Sequence, residues 1–233
     1  MTLWGSFRTR LAATHRIIAF DHRGSGSSSA LPFVTTTKRL ARDALALLDH
    51  LEVERAQVFG LSLGGMAATW LAILAPARVN RLCIASAPAC GLSLSRAGLG
   101  RGLALAACLL RPRDEIEAAL VDRILSRHFR ERHPEDLRRI EALANAEPSA
   151  RVALVQLALA AATHDARGAL VAITAPTLVL AGEHDALLGT EAPRALAAAI
   201  RGATFAIIAG SGHDLTLEQP LTTATRVALF FAQ

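Results

Sequence analysis

Three residues of this chain could take part in one reaction: Ser62 in "VFGLSLGGMAATW", Asp185 in "VLAGEHDALL" and His213 in "IIAGSGHDLTLEQP". A serine hydroxyl is a weak nucleophile until a base removes its proton, and the base needs a third group to orient it. Serine, histidine and a carboxylate together attack an acyl carbonyl, hold the acyl group as an ester on the serine and release it to water.

Ser62 stands in Gly60-Leu61-Ser62-Leu63-Gly64, between an apolar run and a helical pattern. A sharp strand-to-helix turn there would expose the hydroxyl, and small flanking residues would let the two backbones pass closely. The backbone N–H of Leu63 would then face an oxyanion formed nearby. The bland alternative is a chance match in a Gly- and Ser-containing loop. Asp185 and His213 each fall just beyond an apolar run, where Asp185 could instead be a helix cap or loop ligand. The chain order Ser, Asp, His is that of one known triad type. Glu183 and Asp214 are the neighbouring alternates, read as surface or capping residues.

The elements that must position these groups are legible as patterns. Five short apolar runs read as buried strands: 16–20, 56–60, 80–86, 176–182 and 203–210. Continuous rather than alternating apolar runs suit a parallel sheet covered on both faces. Helical patterns lie at 36–51, 64–76, 190–201 and 215–232, so strands alternate with helices in an α/β layered fold. Residues 89–168 break the alternation with helical patterning interrupted at Gly98–Gly102, Pro112, Pro134 and Pro148. The expected division is a core of 1–88 and 169–233 with a helical cap at 89–168, set over the carboxyl ends of the strands where ligands bind.

Composition narrows the function classes. Of 233 residues, 52% are hydrophobic and 19% charged, which is a globular balance. The net charge of +5 suggests nucleic acid, but Lys38 is the single lysine and the arginines alternate with acids, as in "RERHPEDLRR". That is the pattern of solvated helix faces, so no nucleic-acid partner is expected. Cys83, Cys90 and Cys108 lack metal-ligand spacing and read as buried free thiols of a reducing compartment. "MTLWGSFRTRLAATHR" has no signal-peptide core, and "VALVQLALAAAT" is about half the length of a bilayer span. The expectation is a cytoplasmic protein without a membrane partner; a homodimer is compatible.

Taken as a set, "RIIAFDHRGSGSS", "GLSLGG", "APTLVLAGEHD" and "GSGHDLTLEQP" resemble the α/β-hydrolase superfamily with a helical cap, in order and spacing from residue 17 to 220. "GLSLGGMAATWLAILAPARVNRL" and "THDARGALVAITAPTLVLAGEHD" look most like its 3-oxoadipate enol-lactonase members, and a carboxylesterase is equally compatible. The resemblance implies Ser62 as nucleophile, His213 as base and Asp185 as its partner, with "DHRGSGSS" structural. It implies no metal and no cofactor; a dinucleotide loop at "GSGSSS" fails because the third glycine is missing and Leu31-Pro32 follows. The substrate would be a small ester or lactone, with apolar cap residues as roof. Arg96, Arg101, Arg111 and Arg113 could receive a substrate carboxylate, but solvated helix ends explain them as well and are the favoured reading.

One departure stands out. The family's sheet carries three strands before the run at 16–20, and the third ends in a loop supplying a second oxyanion donor. Trp4 looks like a residue just after that loop. The expectation is therefore a start placed too late rather than a truncated inactive relative, with a gap between the run at 16–20 and the strand at 56–60. An acyltransferase or lyase of the same fold, and a non-catalytic ligand binder, are the alternative functions.

Overall fold

A computed structural model of the chain describes residues 4–29, 35–91, 113–146 and 151–233. Its sheet has four parallel strands in the order β1 (Ala56–Leu61), β2 (Val79–Ala85), β3 (Thr177–Gly182), β4 (Thr204–Ile208). Val58 pairs with Leu82, Leu82 with Thr177, and Leu178 with Thr204, so all four carboxyl ends lie on one edge. Four of the five predicted strands thus form within two residues of their expected limits.

Strand periodicity explains why the runs are mostly apolar rather than alternating. Leu82, Ile84 and Val179 point to one face, where they meet Met66, Leu71 and Ala72 of α3 (Leu63–Leu74) and Leu196 of α8 (Glu191–Ala199). Cys83, Ala85, Leu178 and Leu180 point to the other, against Phe7 and Leu11 of α1 (Gly5–Ala12) and Val227, Phe230 and Phe231 of α10 (Pro220–Phe231). Leu82, Ile84, Val179 and Leu180 are wholly buried, each worth about 1.5–3 kcal/mol of apolar transfer. On the first face α2 (Thr37–His50) adds Ala41, and its start is capped by Thr36 Oγ1 accepting from Arg39 N–H.

The predicted helix at 215–232 is two helices, α9 (Leu215–Glu218) and α10, broken at Gln219. Pro220 forces the preceding residue out of the helical region, and Gln219 has φ −132° and ψ 57°. No pattern pointed to α1, whose inward contacts are only Phe7 and Leu11, four residues apart.

The predicted strand at 16–20 is not a strand. Those residues have no ladder partner among the described residues, and Ile17, Ile18 and Phe20 remain 36–39% exposed. Between them and β1 lies a cavity of about 860 Å³, walled by Ile18 and Phe20 on one side and Val58 and Phe59 on the other. A strand exists only by hydrogen bonding to a neighbour, so an apolar run facing this gap stays irregular. The gap was expected; the irregular run corrects the reading of two intact strands on either side of it. The following turn is held locally: Asp21 accepts from Ser27 N–H, Ser28 Oγ donates to the Asp21 carbonyl, and Arg23 pairs with Asp43 of α2.

Beyond β2 the chain passes Cys90, which bridges antiparallel to Asp165. Between these points the described residues form α4 (Arg113–Ile124), α5 (Arg127–Arg132), α6 (Pro134–Ala146) and α7 (Arg151–Ala162). Val121, Leu125, Phe129 and Ile140 make a small core of their own there, joined by Leu217 of α9. Cys83 is a buried free thiol and Cys90 a half-buried one; Cys108 lies outside the described residues. No helix among the described residues is long and apolar enough to cross a membrane.

Candidate active site

Ser62 directly follows β1 and precedes α3, in the tight turn expected of it. Its backbone sits at φ 53° and ψ −117°, a region that costs a non-glycine residue roughly 1–3 kcal/mol. The turn is held from outside: Ser62 N–H donates to the Ala85 carbonyl at the end of β2, and the Ser62 carbonyl accepts from Met66 N–H. The two glycines of the motif are not equivalent. A Cβ on Gly60 would lie 2.3 Å from the Gly64 carbonyl oxygen, whereas one on Gly64 would meet nothing within 4 Å. The close approach of strand and helix therefore rests on Gly60. The Leu63 N–H opens the helix and is among the four that have no acceptor within it.

Asp185 lies three residues beyond β3, and His213 five beyond β4. The parallel register carries both to the edge that holds Ser62. His213 Nε2 is 2.8 Å from Ser62 Oγ, and His213 Nδ1 is 2.8 Å from Asp185 Oδ2. The other carboxylate oxygen, Oδ1, accepts from Leu187 N–H at 2.9 Å and Leu188 N–H at 2.8 Å, which fixes the carboxylate's orientation. Asp185 and His213 are buried while Ser62 is half-buried, so the line from carboxylate to hydroxyl runs from the interior toward the surface. The tautomer that suits these contacts carries its proton on Nδ1, donates it to Asp185, and accepts the Ser62 proton on Nε2. All three side chains singled out from the sequence are thus brought together.

The alternates are placed elsewhere. Asp214 caps α9, accepting from Thr216 and Leu217 N–H, and burial pushes its carboxyl above the usual range. Glu183 accepts from Gly210 N–H and so ties the Asp185 loop to the His213 loop. Arg96, Arg101 and Arg111 lie outside the described residues, as does the side chain of Arg113. The large cavity borders this site at Gly60, Leu61 and Gly64. Trp4 stands just before α1 without a side-chain capping bond, its ring 5.7 Å from Phe7 and 5.6 Å from Phe59.

Sequence reasoning passed over one contact. Buried Glu218 of α9 bonds Ser126, the N-cap residue of α5, across 92 residues of chain. No spacing rule connects positions so distant; the one hint is that Glu218 falls in the short helix just after His213.

Residues 10–220 match the family described as serine aminopeptidase, S33. 3-Oxoadipate enol-lactonase 1 of Acinetobacter baylyi is 30% identical over 227 residues, which cover 94% of this chain and 79% of that protein. Among solved structures, the enol-lactonase from Burkholderia xenovorans LB400 superposes with a TM-score of 0.87 at 25% identity, over 100% of this chain and 86% of the other. A thermophilic esterase from Thermogutta terrifontis gives 0.84 at 27%, over 99% and 85%.

Proposed function

This chain belongs to the serine aminopeptidase, S33 family within the α/β-hydrolase superfamily, and from that premise we propose that it is a serine hydrolase cleaving a small carboxylic ester or lactone through an acyl-enzyme. The observation that carries the reading is the His213 ring, set at 2.8 Å from both the Ser62 hydroxyl and the Asp185 carboxylate.

In the proposed reaction Ser62 Oγ attacks the substrate carbonyl as His213 Nε2 takes its proton. Asp185 holds the ring and stabilises the imidazolium. The Leu63 N–H receives the oxyanion, a contact worth about a hundredfold to a thousandfold in rate. His213 then gives its proton to the leaving alkoxide, or to the ring-opened oxygen of a lactone. Water enters next, loses a proton to the same nitrogen and frees the acid. These steps use no metal or cofactor. In this reading the described helices α4 to α7 serve as the cap of a core that holds the four strands; the rest of the expected cap, at 92–112 and 147–150, lies outside the described residues. The small ester or lactone class is supported by the enol-lactonase and esterase relatives.

The test is hydrolysis of p-nitrophenyl acetate, p-nitrophenyl butyrate and a small lactone by the purified chain. Ser62→Ala should lower kcat by at least about 10⁴-fold with little change in the melt. Substantial turnover by that variant would refute the nucleophile assignment. Products analysed with added alcohol or thiol separate hydrolysis from acyl transfer. The gap beside β1 favours one second reading, a ligand-binding relative. That reading predicts thermal stabilisation by lactones without their turnover.

A further inference from the structure

The loop carrying His213 is fastened to the helical segment by a compact set of contacts. His213 N–H and Asp214 N–H both donate to the Ile124 carbonyl, at 3.0 and 3.1 Å. Two residues further along that segment, Ser126 N–H donates to Glu218 Oε1 at 2.9 Å, and Ser126 Oγ donates to Glu218 Oε2 at 2.5 Å. The same hydroxyl accepts from Phe129 N–H at 3.1 Å, so it caps α5 while holding Glu218. There is no slack in this arrangement. A Cβ on Gly212, the residue before His213, would lie 2.5 Å from Glu218 Oε1 and 2.6 Å from Ser126 N. Leu217 adds an apolar anchor by packing with Leu125 and Phe129.

Glu218 is an unusual choice for such a place. It is 6% exposed, and a buried carboxylate needs several donors to offset the loss of water. Burial pushes its carboxyl above the usual range, while the bonds from Ser126 and from the Gly212 backbone oppose that rise. If the loop only needed to be covered, an apolar residue would serve at less cost. A carboxylate gripping two donors of one residue instead fixes direction as well as distance.

We propose that Glu218 is a positioning residue for His213: by gripping Ser126 it locks the loop of the base to the helical segment, so the aim of His213 at Ser62 depends on how that segment is seated. The proposal rests on the catalytic reading of Ser62 and His213. Ser126 and Glu218 touch neither reacting atom; they act through the loop between Gly212 and α9. Communication in the reverse direction follows, because a substrate that shifts the segment at Ile124–Ser126 also shifts the base.

The experiment compares Glu218→Ala, Ser126→Ala, the double variant and Glu218→Gln with the unmodified chain. Steady-state p-nitrophenyl butyrate hydrolysis is measured with kcat and KM separated, and a fluorophosphonate that labels activated serines counts competent sites. A loop out of register by about 1 Å costs on the order of a hundredfold. Each alanine variant should therefore lose 10- to 100-fold in kcat and in labelling rate, with KM within about threefold. The double variant should be no worse than the weaker single one. Glu218→Gln keeps an acceptor for Ser126 N–H and should recover most of the loss. If Glu218→Ala fails to fold, Ser126→Ala decides alone, since it removes one hydroxyl. A lowered melt with kcat and labelling per folded molecule within threefold of the parent would overturn the proposal. So would additive losses in the double variant. Should Ser62→Ala retain turnover in the same assay, the catalytic reading fails separately.

Discussion

Replacing Gly60 by alanine tests how strictly the position of Ser62 depends on the contact of β1 with α3. The added methyl would lie 2.3 Å from the Gly64 carbonyl oxygen, 2.6 Å from its carbon and 2.8 Å from Gly65 Cα. All three neighbours are backbone, so no side chain can turn away to make room. Ordinary contact begins near 3.4 Å, and reaching it requires strand and helix to part locally by about 1.1 Å. Ser62 lies between them with its Oγ 2.8 Å from His213 Nε2, so a displacement of that size carries the pair out of hydrogen-bond range. The expected cost is on the order of a hundredfold in kcat/KM. Overpacking should also cost roughly 1–3 kcal/mol, which in a chain of this length lowers Tm by about 2–12 °C. Gly64→Ala is the matched control. Its Cβ meets nothing, and alanine in the first turn of a helix should raise stability by roughly 0.5 kcal/mol. Ester hydrolysis and thermal melts of the two variants decide the matter. Equal effects, or a Gly60→Ala protein with parental kcat/KM and Tm, would refute the reasoning.

Ser62→Gly should melt higher than Ser62→Ala, by roughly 1 kcal/mol, because glycine accepts φ 53° without the strain that alanine keeps; calorimetry showing the alanine variant level or higher would contradict a strained turn. Buried His164 bonds Thr37 through Nδ1, and burial lowers its pKa to about 4. The unfolded chain takes up this proton as pH falls through about 6.5 while the folded chain resists until about 4, so the stabilisation is complete above pH 7 and lost on acidification. Between pH 7 and 5 the loss should be about 2 kcal/mol, and His164→Gln should remove that part of the pH dependence of Tm; an unchanged profile in the variant would place the titration elsewhere.

Much of this protein could be read before it was folded. Strands β1 to β4 were legible because a parallel strand covered on both faces is apolar over most of its length, a signal local to five to seven residues. Ser62, Asp185 and His213 were legible for a related reason: each follows an apolar run, and parallel strands bring such endings to one edge. The remainder depended on contacts that no local pattern records. Residues 16–20 read as a strand from composition, but a strand needs a hydrogen-bonded neighbour, and on the side facing β1 the structure has a cavity instead. Gly60 and Gly64 look alike in the motif, yet only the packing of helix on strand shows which of them excludes a methyl group. Glu218 and Ser126 lie 92 residues apart and were joined only when the helical segment folded back over the His213 loop. Burial and hydrogen bonding between distant residues are set by the path of the whole chain. The sequence by itself therefore determined which groups stand at the strand ends, and the tertiary structure alone determined how they are held in line.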